Sequence, residues 1–312
     1  MKILVTGGAG FIGSNIVDAL VEENHEVAIV DNLSTGLKEN INPKAKFFEG
    51  DITSNDALRE IFEKFSPEAI FHLAAQINVR HSVEDPLKDI RVNIIGTVNI
   101  LLLAEKYEVK KFIYSSTGGA IYGDDVERPT PETAEERPIS PYGMDKLSAE
   151  RFIEYFKNRN PSMQAINLRY ANVYGPRQNP HGEAGVISIF TPKMLKGEPV
   201  EVWGDGEQTR DYVYVGDVVA VNLAALEFDG SGTYNIGTGV ETSVNKLAEI
   251  VQAATGFKGA IRHIEAKEGE QRASSLSYQK AYQDLGWKPE VEFEEGVKRT
   301  VEWYKKASKA SE

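Results

Sequence analysis

The sequence contains no cysteine, which excludes disulfide bonds, thiolate catalysis and cysteine-ligated zinc or iron–sulfur clusters. Long hydrophobic runs are also missing: the apolar stretch near the start ends after three residues in glycines, too short for a signal peptide or a membrane span. Basic residues are too few for a nucleic-acid surface, with 35 Lys and Arg against 47 Asp and Glu and a net charge of −12. We therefore expect a cytoplasmic protein that binds neither nucleic acid nor membranes.

The 312 residues, 41% hydrophobic and 26% charged, suffice for about two folded domains. In the first half, short β-branched segments at 3–6, 27–30, 46–48, 69–73 and 111–115 alternate with longer amphipathic patterns. This alternation predicts an α/β fold with a doubly wound parallel sheet over residues 1–171. Frequent Gly and Pro after residue 170 predict a smaller, loop-rich domain over 172–312. A strand at 211–215 and a helix at 218–226 indicate that 211–238 returns to the first domain.

A nucleotide site is predicted at the first strand–helix turn. Gly7, Gly10 and Gly13 let the backbone approach a pyrophosphate, and the following helix directs its N-terminus at the negative charge. Asp31 ends the second strand, where its carboxylate accepts hydrogen bonds from ribose hydroxyls and repels a ribose phosphate; Asn32 follows in place of an arginine. These residues favour NAD over NADP. Asp51-Ile52 and Leu73-Ala74-Ala75, at the ends of later strands, fit the same groove.

A catalytic group is predicted where Tyr142 opens a helix and Lys146 follows one turn later, so that phenol and ammonium face one site. A free tyrosine has a pKa of about 10, and a nearby cation lowers it toward the range of a useful base. Ser115, Ser116 and Thr117 end the fifth strand at the same edge of the sheet and supply hydroxyl groups there.

Segments along the whole chain resemble the extended short-chain dehydrogenase/reductase family, and within it most of all the sugar-nucleotide 4-epimerases. They are 6–13, 31–36, Asn93, 114–117, 142–146, 168–177, 203–206 and 210–213. The resemblance implies a Rossmann-type NAD-binding domain followed by a smaller C-terminal α/β sugar-nucleotide-binding domain. It also implies an isomerase that interconverts UDP-glucose and UDP-galactose at carbon 4 through a transient 4-keto sugar.

The resemblance further implies a set of site residues, with NAD as cofactor, no metal, and a homodimer paired through the helices around 89–107 and 142–159. Catalysis is assigned to Thr117, Tyr142 and Lys146. Cofactor binding is assigned to Gly7, Gly10, Phe11, Ile12, Gly13, Asp31, Asn32, Ser34, Thr35, Gly36, Asp51, Ile52, Leu73, Ala74, Ala75, Gln76, Asn93, Ser115, Tyr142 and Lys146. Binding of the UDP-sugar is assigned to Thr117, Tyr142, Asn172, Val186, Trp203, Arg210, Arg272 and Ser274.

Two departures from the family pattern affect the site. The loop after Thr117 is one residue longer than in many epimerases, which leaves Ser116 as an alternative contact to the sugar. Ser274 stands where glucose-restricted members carry a bulky tyrosine, so we expect some activity on UDP-N-acetylglucosamine. Trp203 has an alternative interpretation as an ordinary core residue.

Residues near the predicted site also bear on the alternative functions. A 4,6-dehydratase places Asp-Glu directly after the threonine, where this chain has Gly118 and Gly119, which cannot transfer protons. A UDP-glucuronate 4-epimerase or decarboxylase keeps the same catalytic residues and ranks second. A catalytically silent NAD-binding sensor is the alternative from another class. The five histidines show no ligand spacing and are interpreted as surface or strand-end residues.

Overall fold

The computed structural model describes residues 1–180, 185–266 and 271–310. Its strands are β1 (Lys2–Thr6), β2 (Glu26–Asp31), β3 (Lys46–Glu49), β4 (Ala69–His72), β5 (Lys111–Thr117), β6 (Gln164–Tyr170), β7 (Asn172–Tyr174), β8 (Val200–Trp203), β9 (Thr209–Arg210), β10 (Tyr212–Tyr214), β11 (Gly232–Ile236), β12 (Thr242–Ser243) and β13 (Ile261–Ile264). Its helices are α1 (Phe11–Glu22), α2 (Asn55–Phe65), α3 (Val79–Glu84), α4 (Pro86–Ile90), α5 (Thr97–Lys106), α6 (Pro141–Arg159), α7 (Val186–Leu195), α8 (Val215–Glu227), α9 (Val244–Thr255), α10 (Gln279–Leu285) and α11 (Phe293–Ala310), with a 3₁₀ turn at Lys38–Asn40 and a π-helical segment at Arg91–Gly96.

Seven strands form one parallel sheet in the order β11-β6-β5-β4-β1-β2-β3. Successive side chains of a strand point to opposite faces, so Ile3 and Val5 pack in one core with α1 and α8 while Leu4 packs in another with α2, α5 and α6. Both faces are therefore covered by helices, as a parallel sheet requires. The predicted α/β doubly wound fold is confirmed.

The strand order reverses between β1 and β4, because the chain extends the sheet from β1 through β2 to β3 and then continues from β4 on the other side. At such a point the connections after neighbouring strands leave in opposite directions and open a crevice at the carboxyl ends of the strands. The glycine turn after β1, the end of β2 and the loop after β4 all meet there.

The later part of the chain has its own hydrophobic core, formed mainly by α7, α9, α11 and β8. The predicted strand at 211–215 exists as β10, but it pairs with β7 in a separate two-stranded sheet rather than with the main sheet. The strand that rejoins the main sheet is β11, beside β6. The helix predicted at 218–226 begins earlier, at Val215, and ends at Glu227.

Candidate active site

The turn after β1 brings three backbone segments into contact. Gly7 has a φ of +73°, and a Cβ there would lie 2.7 Å from the backbone nitrogen of Ala74 in the loop after β4. A Cβ on Gly13 would lie 2.2 Å from the carbonyl oxygen of Gly7. Only glycine fits at these positions, and the close packing leaves the start of α1 open toward the crevice.

Asp31 is 8% exposed and held by two backbone amides. The amide of Ala9 donates to Oδ2 at 3.0 Å, and the amide of Leu33 donates to Oδ1 at 2.8 Å. Each carboxylate oxygen keeps acceptor capacity for a ribose hydroxyl. A ribose phosphate at this position would meet a fixed negative charge, so the residues present fit NAD.

A groove of about 230 Å³ runs along the carboxyl ends of β1, β2, β4 and β5. Most of the predicted cofactor residues line it, namely Gly7, Gly10, Phe11, Ile12, Gly13, Asp31, Asn32, Ser34, Thr35, Asp51, Ile52, Leu73, Ala74, Ala75, Ser115, Tyr142 and Lys146. Ser116, predicted as part of the hydroxyl cluster, also lines it, as do five residues that no sequence motif indicated: Val30, Gly50, Ile77, Val92 and Tyr170. Most of these adjoin or end a strand of the sheet, which is the signal that would have found them.

Three predicted cofactor residues are not among those that line the groove. Gly36 packs against Asp31, since a Cβ there would lie 2.8 Å from Oδ1 of that residue. Gln76 and Asn93 pair with each other: the Gln76 amide donates to Asn93 Oδ1 at 2.8 Å, and Asn93 Nδ2 donates to the Gln76 carbonyl at 2.9 Å. These two hydrogen bonds fix the loop after β4 to the π-helical segment, on the side away from the groove.

Helix α6 brings the predicted tyrosine and lysine to one end of the groove. The helix begins at Pro141, and the Ser140 hydroxyl caps it by accepting from the Gly143 amide at 3.2 Å. Tyr142 and Lys146, one turn apart, both line the groove. The side chain of Thr117 is hydrogen-bonded to Tyr142, and the Lys146 Nζ lies 4.3 Å from the ring centre of Tyr114.

The neighbouring hydroxyl, that of Ser116, has a different partner. It donates to Glu150 Oε1 at 2.5 Å, and the same carboxylate binds the guanidinium of Arg169, whose Nη2 lies 2.6 Å from Oε2. Both members of this ion pair have side chains only 3% exposed. Ser116 is thus held by a buried network, whereas Thr117 contacts the tyrosine.

The pKa values of Tyr142 and Lys146 are both shifted, and the shift of Tyr142 differs from the one that the sequence predicts. Burial raises the pKa of Tyr142, against a lowering by its hydrogen bond with Thr117. Burial also lowers the pKa of Lys146 to about 7, against the opposing charges of Glu150 and Asp89. The pKa of Tyr142 is thus raised by its surroundings, opposite to the lowering predicted from a nearby cation, because burial disfavours the charged form of the phenol.

The predicted sugar-nucleotide residues lie in the second half of the chain. Val186 and Trp203 line a smaller pocket with Phe190, Gln208 and other side chains. Trp203 is 40% exposed, so its alternative interpretation as an ordinary core residue is wrong. Asn172 begins β7 and is exposed.

The two predicted phosphate-binding arginines lie on neighbouring segments. The amide of Thr209 donates to the Arg272 carbonyl at 3.0 Å, which places Arg272 beside the strand that ends at Arg210. The Arg272 guanidinium forms two hydrogen bonds with the exposed carboxylate of Asp205, at 2.9 and 3.0 Å. Ser274 follows two residues later and is half-buried.

Among the described residues no cluster of three or more His, Asp or Glu side chains is placed to hold a metal ion. His72 ends β4 and is buried, with Nδ1 2.7 Å from Thr6 Oγ1 and Nε2 2.9 Å from Thr97 Oγ1. Burial and the charge of Lys146 lower the pKa of His72 to about 3, which keeps it neutral. His181 lies outside the described residues. None of the helices within the described ranges is both long and apolar enough to cross a membrane.

Comparison with known proteins identifies the family. The model of the NAD dependent epimerase/dehydratase family matches residues 3–237. The chain belongs to this family. A relative from Methanocaldococcus jannaschii named putative UDP-glucose 4-epimerase is 50% identical over 97% of this chain and 98% of its own.

Two solved structures are similar over nearly the whole chain. The UDP-glucose 4-epimerase of Thermotoga maritima with UDP-glucose is 51% identical, with a TM-score of 0.97 over 99% of this chain and 100% of that one. The UDP-glucose 4-epimerase of Thermus thermophilus in complex with NAD is 42% identical, with a TM-score of 0.93 over 98% of this chain and 100% of that one. The predictions of an NAD-dependent epimerase and of NAD as cofactor are confirmed.

Proposed function

We propose that this family member interconverts UDP-glucose and UDP-galactose by inverting carbon 4 of the sugar. The observation that supports this most directly is Tyr142, hydrogen-bonded to Thr117 and one helical turn from Lys146, at the end of the groove that carries Asp31 and the glycine turn. A base beside a hydride acceptor is what oxidation of a secondary alcohol requires. The similarity to enzymes named for this reaction points the same way.

The residues have separate roles in the proposed reaction. Tyr142 takes the proton of the 4-hydroxyl during oxidation and returns it to that oxygen when the ketone is reduced, and Thr117 shares a hydrogen bond at the same oxygen. NAD, when bound, accepts the hydride of carbon 4 and returns it to the opposite face of the 4-keto sugar. The positive charge of Lys146 favours the ionised form of Tyr142, and its ammonium group binds the cofactor. The groove residues from Gly7 to Ala75 bind the remainder of NAD. Because burial raises the pKa of Tyr142, ionisation of the phenol needs positive charge beside it.

The sugar nucleotide is proposed to bind along the segments that bear Asn172, Arg210 and Arg272, with Val186 and Trp203 at the uridine end. An arginine beside diphosphate forms charge-assisted hydrogen bonds. Arg272 is paired with Asp205 in the structure, so binding of a diphosphate would exchange one anionic partner for another. Ser274 leaves room near the sugar, which is why we keep UDP-N-acetylglucosamine as a second substrate.

A 4,6-dehydratase would need an acidic residue at position 118, and the structure leaves no space for one. A Cβ on Gly118 would lie 2.3 Å from Cδ1 of Leu276, a buried side chain. An acidic residue at position 118 would therefore displace the core beneath the loop. The UDP-glucuronate reactions use the same catalytic residues, so the test of the proposed function includes UDP-glucuronate as a substrate.

The test is to incubate the purified protein with UDP-glucose, without added NAD, and to follow UDP-galactose by proton NMR. We expect the epimer to form, and Tyr142→Phe to retain NAD while turnover falls at least about 100-fold, since general-base contributions are of that order. Tyr282→Phe is the matched control, because Tyr282 is 52% exposed. Unchanged turnover in Tyr142→Phe would contradict the proposed base. No epimer from UDP-glucose even with added NAD, but conversion of UDP-glucuronate, would favour the alternative.

We also propose that the protein is a homodimer located in the cytoplasm. Each chain is proposed to have two domains, one at 1–171 together with 211–238 and one at 172–312. Exposed apolar side chains lie on α3 to α6, including Val79, Val83, Leu87, Ile95, Leu102, Met144, Phe152 and Tyr155. Apolar patches of this kind mark interaction surfaces. Light scattering should give twice the 34.5 kDa of one chain; a single-chain mass would contradict the dimer.

A further inference from the structure

Two carboxyl groups are buried together beside the catalytic helix. Asp89 of α4 is 0% exposed and Asp145 of α6 is 5% exposed, and their side chains are in hydrogen-bond contact. Each has one buried oxygen, Oδ2, that no donor in the described ranges reaches. Two ionised carboxylates in contact repel and leave both oxygens unsatisfied, whereas one shared proton supplies the missing hydrogen bond. Burial and the two unpartnered oxygens therefore favour a carboxyl–carboxylate pair that shares one proton.

Asp89 connects this pair to the wall of the cofactor groove. Its Oδ1 accepts from Gln76 Nε2 at 2.5 Å. Gln76 is the residue whose backbone pairs with Asn93 and braces the loop after β4. Asp145 directly precedes Lys146 and is three residues from Tyr142 on α6. The shared proton thus joins the loop that borders NAD to the helix that bears the proposed base.

The protonation state of Asp89 and Asp145 affects the charged and titratable groups that surround them. Tyr142 and Lys146 from α6 and Tyr114 from β5 face it. After burial, the charge of Asp89 is the next cause that raises the pKa of Tyr142. Burial and the contact with Asp89 raise the pKa of Asp145 to about 7. The charged residues of the other adjoining elements are exposed or lie at the far end of α5: Arg80, His81, Glu84, Asp85, Lys88, Arg91, Glu105 and Lys106.

We propose that Asp89 and Asp145 are positioning residues for the epimerase reaction, with one shared proton that holds the groove loop against the catalytic helix and whose loss adds a second negative charge beside Tyr142. The proposal rests on the proposed function for its kinetic consequence, but the shared proton itself does not depend on it. A second negative charge disfavours the phenolate, so turnover should be held back above neutral pH.

The decisive variant is Asp145→Asn, which keeps the shape and the hydrogen bond to Asp89 but holds the pair at one negative charge at every pH. We expect its kcat to match the unmodified enzyme at pH 6 and to exceed it by about 3- to 10-fold at pH 9, with KM unchanged, since one unit of pKa corresponds to a tenfold change in population. Asp145→Ala, which removes the contact, should lower kcat at all pH values. Glu154→Gln, an exposed carboxylate on the same helix, is the control. Parallel pH profiles for Asp145→Asn and the unmodified enzyme would overturn the proposal.

Two measurements need no turnover and therefore separate failure of this proposal from failure of the proposed function. Infrared difference spectra between Asp145→Asn and the unmodified holoenzyme at neutral pH should show loss of a protonated carboxyl band; no such band would overturn the shared proton. The raised pKa of Asp145 stabilises the fold fully below its unfolded value of 3.8, and this stability is lost as pH rises through about 7. The thermal midpoint should thus fall more steeply from pH 5.5 to pH 8.5 than that of Asp145→Asn, and equal slopes would count against the pair.

Discussion

Replacing Gly13 with alanine has two opposing effects on the stability of the fold. Gly13 lies inside the first helix, where alanine is normally favoured over glycine by about 1 kcal/mol. In this protein, however, the added Cβ would lie 2.2 Å from the Gly7 carbonyl oxygen and 2.9 Å from its carbon. Real Cβ contacts essentially never fall below 3.0 Å, so turn and helix must separate by about 0.8 Å. Overpacking of this kind costs about 1–3 kcal/mol, which outweighs the gain in helix propensity.

The larger effect should be on the cofactor. Hydrogen bonds to charged groups contribute about 1.5–3 kcal/mol each, and the displaced turn is the segment expected to cup the pyrophosphate. Loss of two such bonds corresponds to at least about a 100-fold weaker NAD affinity. The assay is titration of NAD-free protein by calorimetry, with the thermal midpoint measured in parallel and expected to fall by about 2–4 °C per kcal/mol.

Glu22→Ala is the control, because Glu22 is exposed at the far end of the same helix and is not among the residues that line the groove. It should bind NAD within about threefold of the unmodified protein, a factor below 1 kcal/mol. If Gly13→Ala also binds within that range, or is more stable than the unmodified protein, the inference that the turn must approach the cofactor closely is refuted.

Two further changes test the buried network and the sugar pocket. Glu150→Ala leaves the Arg169 guanidinium buried with Glu136 as its remaining carboxylate partner, so the free energy of unfolding should drop by about 3 kcal/mol in urea titration; a loss below about 1 kcal/mol, as for an exposed pair such as that of Glu154, would show that Arg169 finds other compensation. Ser274→Tyr should abolish activity on UDP-N-acetylglucosamine while activity on UDP-glucose stays within about threefold, measured by NMR on both substrates; equal loss on both would place the N-acetyl group elsewhere.

The sequence was sufficient where a function depends on neighbours along the chain. Gly7, Gly10 and Gly13 form one turn, and Tyr142 and Lys146 lie one helical turn apart, so their spacing alone predicted where they meet. The parallel sheet followed from the alternation of short apolar and longer amphipathic segments. The carboxyl ends of parallel strands share one edge, which is why Asp31, Asp51 and Leu73 were correctly expected near the glycine turn.

Side-chain direction and strand partners required the tertiary structure. Ser116 and Thr117 are adjacent in sequence, yet one donates to Glu150 and the other contacts Tyr142, because successive residues of a strand face opposite sides of the sheet. Gln76 and Asn93 brace the groove from behind rather than line it, and β11 rather than β10 rejoins the sheet. No local pattern specifies these choices.

The sequence by itself determined the family, the sheet and the spacing of Tyr142 and Lys146. Each depends on residues that are close together in the chain or on the period of the apolar positions. Only the tertiary structure decided the charge balance of the site. Asp89 and Asp145 are separated by 56 positions and meet through packing of α4 on α6, and burial, which no motif reports, shifts the pKa values of Tyr142, Asp145 and Lys146. Desolvation depends on everything that surrounds a group, and so it is settled only when the whole chain has folded.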